Sequence, residues 1–106
     1  MFLIFTSFLL VLPVVHLTVE PSFEIEEGKN ITLTCNFESN THLVELLWIK
    51  DNNSLSVSQN HHLLLTNVSK DDEGVYVCEV ENQVGISSDQ MEIKVLCKYH
   101  VTTTCL

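Results

Sequence analysis

At 106 residues the chain is one domain at most, and its formal charge of −9 comes from 14 acidic residues against 5 lysines, with no arginine. That balance excludes nucleic acid, heparin and anionic membrane as partners, since all of them require clustered cations. It fits a solvated, soluble surface.

The chain opens on an apolar stretch, Met1 to Val15, interrupted at Pro13. It is shorter than the ~20 residues that a membrane-spanning helix needs, and a secretory signal peptide fits better. The leader is assigned to residues 1–17, although it has no Lys or Arg at its start and no A-x-A-like cleavage site. A domain is expected over residues 18–96, and residues 97–106 form an unassigned tail that fits the start of a further domain. A domain of this size has a modest core, so a covalent cross-link would help it.

Alternation of apolar and polar residues marks the strands that follow. Val19 to Gly28 reads as one edge strand, with Pro21 tolerable only at an edge. Asn30 to Phe37 is the clearest strand, turning Ile31, Leu33, Cys35 and Phe37 to one side. Glu38 to His42 is a polar loop. Beyond it Val44, Leu46, Trp48 and Lys50 share one face, and Leu43, Glu45, Leu47 and Ile49 share the other. Asp51 to Ser54 is a turn cluster, and Leu55 to Asn60 is a weakly patterned short strand. Leu63 and Leu65 start the next strand, with Val68 plugging the corner beneath. From Gly74 to Glu81, Tyr76, Cys78 and Val80 alternate with Val75, Val77, Glu79 and Glu81. Asn82 to Gly85 makes a hairpin turn, and Met91, Ile93 and Val95 face inward from the last strand. Two packed antiparallel sheets are the economical arrangement for so many short strands.

The segment Leu63 to Cys78 carries a resemblance. Tyr76 stands two residues before Cys78, Gly74 precedes it after an acidic corner, and Trp48 lies thirteen residues beyond Cys35. This order resembles the immunoglobulin superfamily, and the spacing of 43 between Cys35 and Cys78 is similar to its short I-set or C2 type. Such domains occur in tandem in vascular cell adhesion molecule and in the stalks of sialic-acid-binding lectins (Siglecs). The resemblance covers roughly Val19 to Leu96. It implies an all-β, Ig-like antiparallel sandwich with a Cys35–Cys78 disulfide, a cross-link worth roughly 4 kcal/mol through loop entropy. It also implies a core signature of Trp48, Leu65, Asp72, Gly74 and Tyr76, with the tyrosine hydroxyl turned onto corner backbone. Trp48 then faces the disulfide, which leaves Leu47 and Ile49 outward. In the family an acid like Asp72 often pairs with a basic residue; without arginine that partner is open here. The pairing of Cys97 and Cys105 is open too.

Three N-glycosylation sequons begin at Asn30, Asn52 and Asn67. On a sandwich they fall at the end from which the last strand exits, leaving the opposite loops bare. Leu47, Ile49, Val75 and Val77 are expected together on one outer face, a candidate protein-binding patch. Outward β-branched residues also suit a pleated strand with no further role.

No enzyme is expected, and no cofactor or metal. Asp71-Asp72-Glu73 reads as a solvated corner, and the adjacent His61 and His62 point to opposite faces of a strand. Cys97, His100 and Cys105 do not match zinc spacing, and neither a G-x-S-x-G elbow nor a phosphate-cradling glycine loop is present. The expected function is an extracellular or secreted recognition module of cell-adhesion or immune-receptor type. Its partner would be a protein, a cell-surface receptor or a second Ig domain in homophilic contact. A secreted single-domain antagonist and a spacer without a ligand are the alternatives.

Overall fold

The computed structural model describes residues 10–41, 44–55 and 60–98. Among the described residues eight strands run in order: β1 (Val14–Glu20), β2 (Glu24–Glu26), β3 (Ile31–Glu38), β4 (Glu45–Lys50), β5 (Asn53–Ser54), β6 (His62–Leu65), β7 (Gly74–Glu81) and β8 (Ile86–Leu96). A single 3-10 turn, Lys70–Asp72, joins β6 to β7. One sheet has the order β1-β3-β6 and the other β2-β8-β7-β4-β5, every pairing antiparallel except β2 with β8.

The core lies between the sheets, where period-two alternation delivers its apolar side. Leu33, Cys35, Trp48, Cys78, Val80 and Ile93 have no exposed surface, and Ile31, Tyr76 and Val95 have almost none. Cys35 and Cys78 are disulfide-bonded with their α-carbons 6.3 Å apart. Trp48 pairs directly with Cys78 across β4 and β7. Its indole N–H donates to the Asn60 carbonyl at 2.9 Å, so the largest core side chain buries no unmet donor. Leu63 and Val68 are buried as expected; Leu65 is partly buried against the core.

The N-terminal region differs from the single edge strand expected over Val19 to Gly28. The ladder with β3 starts at Val14 and stops at Glu20. Pro21, which has no N–H to contribute, follows through a cis peptide bond. The chain then crosses to the second sheet as β2, burying Ile25 and leaving Phe23 exposed. The boundary expected after residue 17 thus falls inside β1. Leu17 is only 3% exposed, and its N–H, on the open side of this edge strand, donates to the Asp89 carboxylate at 2.8 Å. That bond ties the two sheets together and covers the edge.

The turn expected over Asp51 to Ser54 is tighter than that. Asp51 and Asn52 take the left-handed conformation, and Asn53 and Ser54 already pair with β4 as β5. Of the strand expected over Leu55 to Asn60, residues 56–59 lie outside the described residues. In the tail, residues 99–106, with Cys105 among them, also lie outside; no described cysteine is a free thiol.

Candidate protein-binding face

Register decides what the outer face of the five-stranded sheet presents, because residues directly opposite in a ladder point the same way. Ile49 faces Val77, which faces Gln90; Leu47 faces Glu79; Val75 faces Glu92; Glu45 faces Glu81, which faces Ile86. The pairing brings Leu47, Ile49, Val75 and Val77 together as one strip, and each side chain is half-buried. The carboxylates of Glu45, Glu79, Glu81 and Glu92 rim it. Among the described residues none of these four makes a side-chain hydrogen bond or ion pair. Like charges directly opposite, as at Glu45 and Glu81, work against the pairing. Ile86, 53% exposed, extends the apolar strip at its upper corner.

The five lysines do not relieve this charge, because all of them lie towards the opposite end, where β8 exits. The Lys50 ammonium donates to the Asp71 carbonyl and sits 5.8 Å from the centre of the Tyr76 ring. Lys70 pairs with Glu73 at 3.0 Å. The Lys29 carbonyl accepts the Val68 N–H at the corner, and the Lys98 backbone N–H donates to the Glu27 carboxylate. Only Lys94 belongs to the outer face of this sheet, opposite Glu24 at the base.

That base is built by the signature residues. The Tyr76 hydroxyl donates to the Asp72 carbonyl at 2.5 Å. Burial, then the negative charges of Asp72 and Asp51, push the tyrosine pKa up to about 12. The Asp72 carboxylate accepts from the Ser69 N–H at 2.8 Å while the Ser69 hydroxyl accepts from the Asp71 N–H. It therefore caps the 3-10 turn, a role that needs no basic partner. Glu73 accepts the Val95 N–H and faces Lys70, which hold its carboxyl below the usual carboxylate range. At Gly74 (φ +157°) an added Cβ would stand 2.5 Å from the Asp51 carboxylate, which accepts the Val75 N–H at 3.0 Å. A side chain there would push the Asp51 carboxylate off the Val75 N–H.

The three sequon asparagines are exposed and sit around this base. The Asn30 side chain accepts from the Asn67 N–H at 3.0 Å, and Asn52 follows Asp51 in the tight turn below Gly74.

At the other end Asn82 organises the hairpin turn expected over Asn82 to Gly85, and it also reaches segments remote in sequence. Only 6% exposed, it accepts the Val84 and Gly85 N–H groups and donates to the Val11 carbonyl and the Ser39 hydroxyl. Beside it a groove of about 340 Å³ opens between Val44, Glu45, Glu81, Asn82 and Gln83. Among the described residues no group of His, Cys, Asp and Glu has the geometry to hold a metal ion, and no helix is long and apolar enough to cross a membrane.

The pattern of the family described as immunoglobulin domain matches residues 14–95. Over 78 residues the chain is 35% identical to vascular cell adhesion protein 1 of Canis lupus familiaris, which covers 71% of this chain and 10% of that protein. Over 75 residues it is 40% identical to the B-cell receptor CD22 of Mus musculus, covering 70% of this chain and 8% of that one. The chain therefore spans about a tenth of the length of these relatives. Among solved structures, the amphioxus IgVJ-C2 molecule superposes with a TM-score of 0.67 at 26% identity, over 79% of this chain and 44% of the other.

Proposed function

The chain belongs to the immunoglobulin superfamily, and from that premise we propose that it is an extracellular recognition module of cell-adhesion or immune-receptor type. It binds a protein partner through the outer face of β4, β7 and β8. One observation carries this reading: Leu47, Ile49, Val75 and Val77 form a single apolar strip ringed by carboxylates that nothing within the described domain neutralises. Apolar centre and polar rim are the anatomy of a protein–protein contact. The relatives, named as an adhesion protein and a B-cell receptor, are binding modules of a non-enzymatic family and support the same reading.

Export and modification complete the proposal. The apolar leader directs secretion, and a cut that leaves β1 whole falls ahead of Val14. Glycans on Asn30, Asn52 and Asn67 would coat the base and leave the upper half of the sheet open. The test is binding of multimerised chain to cells, comparing wild type with Leu47→Lys/Val77→Lys. Loss of staining by a variant with unchanged thermal stability is the expected result; unchanged staining removes this face from the function.

A further inference from the structure

The upper half of the outer face has a charge pattern that bears on which protein it accepts. Glu45, Glu79 and Glu81 gather around Leu47 and beside Ile86, and no lysine of the chain lies at that end. A second copy docked face to face in parallel would set these carboxylates against their own counterparts. Docked antiparallel, it would bring Lys94 alone of the strand lysines to meet them, because Lys50 and Lys70 are engaged within their own domain and Lys29 and Lys98 lie outside the strands. Like-charge juxtaposition across an interface rejects wrong partners, and opposite charge admits right ones.

We infer that this face is built for a different protein, one presenting an apolar centre rimmed by Lys or Arg, and that it excludes a second copy of this chain. The inference rests on the reading of the face as a binding surface and names the chemistry of its occupant. Half-buried Leu47 and Val77 supply contact area, while unpaired Glu45, Glu79 and Glu81 supply selectivity. Arginine suits the partner's rim best, since its planar fork engages carboxylates bidentately.

The chain itself provides the probe. A copy carrying Glu45→Lys, Glu79→Lys and Glu81→Lys keeps the apolar strip and inverts its rim, so it presents the chemistry assigned to the partner. A second probe, Glu79→Lys/Glu81→Lys, leaves β4 untouched. A control, Glu20→Lys/Glu38→Lys/Asp71→Lys, makes the same change in net charge as the triple probe, away from this face. In sedimentation velocity, wild-type chain alone is expected to stay monomeric at both low and high salt. Mixed with either probe it forms a heterodimer that weakens by about tenfold or more when salt rises from about 20 mM to about 0.3 M; mixed with the control it does not associate. Wild-type self-association that Leu47→Lys abolishes would overturn the inference while leaving the face as a binding surface. Failure of both probes to associate would overturn it too, by showing that the rim charge does not select.

Discussion

The two outer faces of this sandwich are made of the same pleated backbone and do opposite things with it. On the sheet β1-β3-β6 several outward polar side chains bond one another, while Val14 and Leu64 stand exposed and the Glu20 and Glu38 carboxylates make no side-chain bond among the described residues. The Thr34 hydroxyl meets the His62 imidazole at 3.0 Å, and the Asn36 amide reaches the His16 carbonyl at 3.3 Å and the Thr18 hydroxyl at 3.4 Å. On the other sheet the outward side chains of β4 and β7 are apolar or anionic, and the carboxylates find no partner among the described residues. Scattered apolar residues such as Val14 and Leu64, at opposite ends of the first sheet, gain little from a ligand. A face left with half-buried leucine and valine beside unpaired charge gains much. The difference teaches that outward polarity in a strand does not by itself mean inertness; what matters is whether the polar groups have used their bonding capacity at home.

The comparison breaks most completely if the shared core is removed, since both faces hang from it. Trp48→Ala leaves a cavity against the Cys35–Cys78 bridge, and a loss of about 3–5 kcal/mol is expected in denaturant unfolding. A domain this small would be largely unfolded near body temperature, and both faces would be lost together.

An intermediate effect separates the base from the faces. The Tyr76 phenol is held protonated to about 12 by burial and the nearby acids, whereas an unfolded tyrosine ionises near 10. Above about 10 the unfolded chain releases a proton that the folded chain keeps, so stability present below that pH is lost as the pH rises towards 12. Thermal melts between pH 9 and 12 would follow this decline. Tyr76→Phe is expected to be less stable at neutral pH, lacking the bond to Asp72, and to lose less on going alkaline.

The smallest effect sharpens the contrast between the faces. Glu81→Lys converts the Glu45–Glu81 repulsion into an attractive cross-strand pair, and a gain of about 0.2–1 kcal/mol is expected in urea unfolding. Glu38→Lys, an acid of the other face standing opposite Val14, should leave stability within about 0.5 kcal/mol.

Much of the sandwich was legible from residue order. Leu33, Cys35, Tyr76 and Cys78 fall on period-two positions, while the inward turn of Trp48 and the corner from Asp72 to Tyr76 were read through the family resemblance. The start of β1 was not read, although Val15, Leu17 and Val19 alternate as a strand should, because an apolar run continuous with the leader hides the alternation. The turn at Asp51 and Asn52 closes two residues sooner than its composition suggests, since asparagine and aspartate tolerate left-handed backbone. The members of the apolar strip followed from strand parity once the resemblance had turned Trp48 inward. Its rim did not: which glutamates meet across strands depends on register, and the gathering of all the lysines at one end appears only when distant segments are folded together. The turn at Asn82 was read, but the reach of its amide to Val11 and Ser39 was hidden for the same reason, as both are remote in sequence.

The most direct measurement sets the two faces against each other in one binding assay. Lysine is introduced pairwise at Leu47 and Val77 on one face and at Thr34 and Asn36 on the other, and the multimerised chains are compared for cell-surface binding at matched thermal stability. Binding abolished by the first pair and retained by the second is the expected result. Equal loss from both pairs, or loss from the second alone, would contradict the account.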